Sequence, residues 1–129
     1  MEGYNFDFSF VRSGTPLVTL SAIGIAFNAG SRSLLGYPEQ VEIGFDEKAM
    51  AIGVRPHADN SSNPSYEFET RVKDEWVRIS MRDFMRFLSQ RSGIDFVDRA
   101  MQFIPEYDED SNTLVVIVDR EHIKTKNRT

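Results

Sequence analysis

The sequence predicts a sheet-rich α+β fold in a single domain, and three observations carry that expectation. Apolar residues alternate with polar ones in several short runs, the period of half-buried strands. Two short helical stretches each end at a glycine. The order strand–helix–hairpin occurs twice, over residues 17–56 and 66–118, with a polar linker at 57–65 between them. Neither half holds enough apolar surface to close a core alone, so the natural solution packs the two together.

The first run, "YNFDFSF", puts Tyr4, Phe6, Phe8 and Phe10 on one side and Asn5, Asp7 and Ser9 on the other. It reads as an outer strand with an aromatic face, a candidate edge for capturing a partner strand. After the break at Ser13-Gly14-Thr15-Pro16, "LVTLSAIGIAF" reads as one extended, mostly buried run. Asn28 follows as an N-cap for a helix of about two turns with Leu34 and Leu35 inward. Gly36 and Pro38 stop it.

Val41, Ile43 and Phe45 then alternate with Glu42 and Gly44, and Met50, Ile52 and Val54 alternate beyond a turn at Asp46-Glu47-Lys48. This is an amphipathic hairpin. In the second half "YEFETRV" and "WVRI" read as strands around a turn at Lys73-Asp74-Glu75. Ser80 and Asp83 form a capping-box-like pair. Met81, Phe84, Met85 and Leu88 share one helical face, which Gly93 ends. "VDRAMQFI" and "TLVVIV" flank "PEYDEDSN" as a second hairpin, and residues 119–129 read as a fraying polar tail.

Composition narrows the function classes. Apolar residues make up 40% and charged residues 27%, with ten phenylalanines for a core. No apolar run approaches the ~20 residues of a membrane span. The opening stretch carries Glu2 and alternates, unlike a signal peptide. A chain without cysteine has no disulfide, thiolate metal site or cysteine nucleophile, in keeping with a reducing, cytoplasmic setting. The formal charge of −5 disfavours non-specific DNA or anionic-membrane binding.

Residues 24–56 carry a Gly-led strand (Gly24 to Phe27), a capped short helix (Asn28 to Leu35), Gly36-Tyr37, and a hairpin from Val41 to Val54. In these features the stretch resembles the AbrB-type swapped-hairpin family, which includes MazE-like antitoxins and relatives of MraZ. The pattern Leu35-Gly36, Pro38, Val41, Ile52-Gly53 and Pro56 also resembles small proteins of bacterial mobile elements. The resemblance implies an AbrB-like β-barrel in which one chain supplies both interlocking copies. It also implies DNA contact through Arg and Lys of the first strand and helix. Here Ile25 follows the glycine, and the helix keeps only Arg32. Arg12, Arg32, Lys48 and Arg55 are the basic residues of the first sixty positions, against seven acids.

Motifs for chemistry are few. His57 and His122, in linker and tail, lack a third ligand at metal spacing and read as solvated histidines. There is no GxGxxG, no P-loop and no GxSxG. "DEDSNTLVVIVD", residues 108–119, departs from a calcium loop at Thr113 and Asp119 and reads as an acidic hairpin turn. No catalytic, metal or cofactor site is expected. The one basic cluster is Arg71, Lys73, Arg78, Arg82, Arg86 and Arg91, a candidate surface for nucleic acid or an acidic partner. The expectation is a non-enzymatic binding or regulatory module of bacterial or mobile-element origin that binds a protein partner or itself. The alternative is a sequence-specific DNA-binding regulator or antitoxin of AbrB type.

Overall fold

The computed structural model describes Gly3 and residues 14–124. Strands β1 (Val18–Leu20) and β2 (Gly24–Phe27) lead into helix α1 (Ala29–Leu35) and the hairpin β3 (Gln40–Asp46) and β4 (Ala51–Pro56). Then come β5 (Tyr66–Glu67), β6 (Val77–Ser80), helix α2 (Arg82–Ser92), β7 (Met101–Phe103), β8 (Glu106–Asp108) and β9 (Thr113–Ile117). Short 3-10 turns span Glu69–Arg71 and Arg120–His122. The candidate edge residues Tyr4, Phe6, Phe8 and Phe10 lie outside the described residues.

The sheet-rich α+β class holds. The strands form a four-stranded sheet, β6-β2-β1-β7, and a five-stranded sheet, β5-β3-β4-β9-β8. Every described pairing within them is antiparallel. Among the described residues the closed barrel expected from the sequence does not form; both sheets are open. Closure needs strand edges free to pair with one another, and the outer edge of β7 is already taken. There the Ile104 N–H donates to the His122 carbonyl and the Lys124 N–H to the Gln102 carbonyl, each at 2.8 Å. The opposite sheet ends in β5 and β8, of two and three residues, too short to bridge the gap.

Alternation sets which faces meet. Val18, Leu20, Ile25, Phe27, Val77, Ile79 and Phe103 of the first sheet turn inward, as do Val41, Ile52, Val54, Leu114 and Val116 of the second. With Leu35, Met85, Leu88, Phe68 and Phe96 they form one continuous apolar cluster. Phe27 meets Phe68 edge-on at 5.1 Å, a favoured aromatic geometry. Among the described residues no helix is long and apolar enough to cross a membrane.

Local chemistry explains the elements. Asn28 caps α1: its Oδ1 accepts from the Ser31 N–H at 3.0 Å and the Leu17 N–H at 2.9 Å, and its Nδ2 donates to the Thr15 carbonyl. One side chain thus starts the helix and pins the segment before β1. Gly36 and Gly93 end their helices in the left-handed region, φ 82° and 75°.

Five expectations are corrected. The run at 17–27 folds back at Ser21–Ile23, where Ser21 Oγ accepts from the N–H groups of Ile23 and Gly24. Ser80 does not cap α2: it closes β6 opposite Gly24, and Met81 takes the cap position with no side-chain bond. "YEFETRV" is strand only at Tyr66–Glu67 before winding into a 3-10 turn. Met101–Phe103 pairs with β1 in the other sheet, because Pro105 breaks the chain before β8 begins the second hairpin. Of residues 119–129, those at 119–124 are held by the 3-10 turn and an Ile123–Phe103 bridge.

Candidate functional site

The basic cluster read from the sequence is dispersed over several elements. Arg71 ends a 3-10 turn, Lys73 pairs with Trp76 across a tight turn, and Arg82 is exposed on α2. Arg86 lies 3.8 Å from Asp83, one turn away on the same helix. Arg91 caps the Phe87 ring and pairs with Glu47 on the β3–β4 turn. Arg78 sits on β6 between the inward Val77 and Ile79, so it points to the outer face of the first sheet. Arg32, the one basic residue of α1, is buried. Its Nε and Nη2 grip both Glu69 oxygens at 3.1 and 2.7 Å, and its Nη1 donates to the Glu75 carbonyl at 2.9 Å. That bidentate bond raises the guanidinium pKa and removes Arg32 from any outer surface.

Around Arg78 the strand registers build a trough. Gln102 opposes Thr19, Thr19 opposes Ala26, and Ala26 opposes Arg78, so one outward row crosses all four strands. Small residues fill its middle and long ones its ends. Trp76, whose ring lies 5.9 Å from the Arg78 guanidinium, and the half-exposed Ile23 flank a cleft of about 300 Å³. Arg78 forms no ion pair among the described residues. The sequence pointed to Arg78 but not to Trp76, Ile23, Thr19 or Gln102. The available signal was the only tryptophan, one residue ahead of an alternating strand.

The outer face of the second sheet holds a different arrangement. Glu42 lies on the outward side of β3 yet is only 6% exposed, because the 57–65 loop folds over it. Its carboxylate accepts from Arg55 Nε at 3.1 Å, His57 Nδ1 at 2.9 Å and Asn63 Nδ2 at 3.1 Å. Bonds from Ser61 and Asn63 first, then Arg55 and His57, hold its pKa down at about 2 against the cost of desolvation. Beside it opens a cleft of about 350 Å³ lined by Gly44, Gly53, Arg55, Asn63, Tyr66 and Thr113. A carboxylate so fully engaged is a clamp on the loop and a poor proton acceptor.

The two histidines are not the solvated side chains expected; their side chains are 15% and 22% exposed. His122 lies between Asp119 at 2.7 Å and Glu106 at 3.1 Å, and bonds to these carboxylates raise its pKa. This ties the 3-10 turn to β8. Glu42 and Glu106 lie 15 and 16 residues from the histidines they hold, so spacing could not reveal them, whereas Asp119, three residues before His122, was the one local signal. In the acidic turn at 108–119, Asp108 accepts from the Asp110 N–H and the Ser111 hydroxyl. Among the described residues no three His, Asp or Glu side chains gather as a metal site.

No family model, no curated protein and no solved structure matches the chain.

Proposed function

We propose that the chain is a non-enzymatic binding module that engages a protein partner through the outer trough of the four-stranded sheet. The observation that carries this reading is the Gln102–Thr19–Ala26–Arg78 row, walled by Trp76 and the half-exposed Ile23. Trp and Arg dominate the energetics of protein interfaces, where a small-floored pocket takes an anchor side chain. The partner chemistry that fits is an apolar side chain over Ala26 and Thr19 with an acidic group beside Arg78. Self-association through the same face is the other form of this reading.

A fused pair of AbrB-like strand–helix–hairpin units is the finer fold we propose. Its support is positional. β2 pairs with β6 just before each helix, and β4 pairs with β9. The turns after Asp46 and Asp108 match, with Met50 and Asn112 both at positive φ, 53° and 50°. That pattern favours the second reading, a DNA-binding regulator or antitoxin. The burial of Arg32 and the scatter of the other basic residues weigh against it, since fold alone does not carry function.

The test compares two assays. Fluorescence polarisation with random and genomic DNA at about 150 mM salt should show no sub-micromolar binding. A partner co-isolated from the source cells should be retained by Arg86→Ala and lost by Trp76→Ala and Arg78→Ala. Tight, sequence-selective DNA binding abolished by Arg82→Ala and Arg86→Ala would replace this reading with the regulator.

A further inference from the structure

Strand interiors seldom keep glycine, which packs nothing and loses the most backbone freedom on folding. Yet Gly44 and Gly53 oppose each other in the middle of β3 and β4. Neither has a positive φ, and the register runs unbroken from Val41–Pro56 to Asp46–Ala51, so there is no bulge. Among the described residues, a Cβ at Gly44 would meet no atom within 4 Å, and one at Gly53 would only touch Thr113 Cγ2 at 3.4 Å. Conformation, bulge and crowding therefore leave this pair unexplained. With a continuous ladder and no described backbone near either glycine, the close approach of a ligand to the backbone is the reason for a strand glycine that fits the open cleft above them. Above the pair lies the cleft of about 350 Å³, within the size range of small-molecule sites.

The walls specify the ligand's character. Arg55 lines the cleft, is half exposed and engages Glu42 through Nε and Nη2, and its Nη1 has no hydrogen-bond partner among the described residues. Asn63 turns its Nδ2 to Glu42, so its Oδ1 remains an acceptor. Glu42 and Arg55 cancel in charge, and the chain as a whole is acidic. Among the described residues lining the cleft, no uncompensated cation awaits an anion. We infer that this cleft binds a small, neutral, planar group carrying a carbonyl beside an N–H, an amide or amide-like heterocycle. Its face rests on the Gly44–Gly53 backbone, and its edge meets Arg55 and Asn63. This site is on the opposite sheet from the proposed partner trough and is independent of it.

The test is a titration of the 15N-labelled full chain with benzamide and 2-pyridone, and with benzoate as the anionic counterpart of benzamide. Saturable shifts of the Gly44 and Gly53 amide signals are expected with both neutral amides, and binding at least about tenfold weaker with benzoate. Gly44→Val fills open space with a good strand former, so it should melt no lower than the parent while losing both amides. Should that variant fail to fold, Gly44→Ala carries the same comparison. No saturable shift at the two glycines, tighter benzoate binding, or amide binding retained in the folded variant would overturn the inference. Glycine shifts caused by raising protein concentration alone, and lost in the variant, would assign the floor to a second copy of the chain and overturn it too.

Discussion

A side chain at position 24 would place its Cβ 1.9 Å from the Ile79 carbonyl oxygen, so β2 and β6 can approach as they do only over glycine. Gly24→Ala must push two central strands apart. It should cost about 3 kcal/mol, at the upper end for overpacking, read as a fall in denaturant midpoint. The sequence marks Gly24 as the head of a strand, but its obligatory character depends on a partner more than fifty residues on. Arg32 shows the same limit. Its position on a capped helix was legible, whereas its burial against Glu69 was not. Glu69→Ala would strand the guanidinium and should destabilise by about 3 kcal/mol; Arg32→Lys should not preserve stability, because a point charge cannot match the bidentate fork. Glu42 and His122 predict opposite pH responses. The Glu42 pKa falls from 4.5 to about 2 on folding, so its contribution is present above about pH 4.5 and lost as pH falls through about 2. His122 is raised above 6.5, so its contribution is complete below that value and lost as pH rises through its folded pKa. Urea midpoints across pH should lose part of their acid-side decline in Glu42→Gln and part of their alkaline-side decline in His122→Gln.

At the scale of elements, legibility followed how local the deciding interactions are. The Asn28 cap, the glycine stops, the β3–β4 hairpin and the apolar face of α2 are settled within a few residues, and all were readable. Asn28→Ala should cost about 2 kcal/mol, the top of the range for a cap, since the same side chain also holds Leu17 and Thr15. Leu88→Ala should cost about 2–5 kcal/mol through lost burial and a residual cavity, with Met85 beside it in the same core. Phe84, on that face, is only partly buried and meets Phe45 edge-on at 5.2 Å, so its truncation should cost less than that of Leu88. Ser80 misled because a good capping residue was already committed to the ladder with Gly24. The β1–β2 turn was hidden because Ser21 turns the chain with its own hydroxyl instead of a Gly-Pro signal.

For the whole molecule, sheet content and helix positions followed from sequence, while the assignment of strands to sheets did not. β7 lies nearer in sequence to β8 and β9 than to its partner β1, and only the closing of a shared core decides between them. The two outer faces were illegible for the same reason: each is a row of residues from separate strands. On the proposed reading, the trough across β6-β2-β1-β7, and not the α2 arginines, is the face that meets another macromolecule. The most direct test of that reading is site-specific photo-crosslinking in the source cells, with a photoreactive side chain at position 102 in the trough and, separately, at position 82 on α2. One discrete protein adduct is expected from position 102, abolished by Arg78→Ala, and none from position 82. Nucleic-acid adducts from position 82, with nothing trapped at position 102, would contradict it.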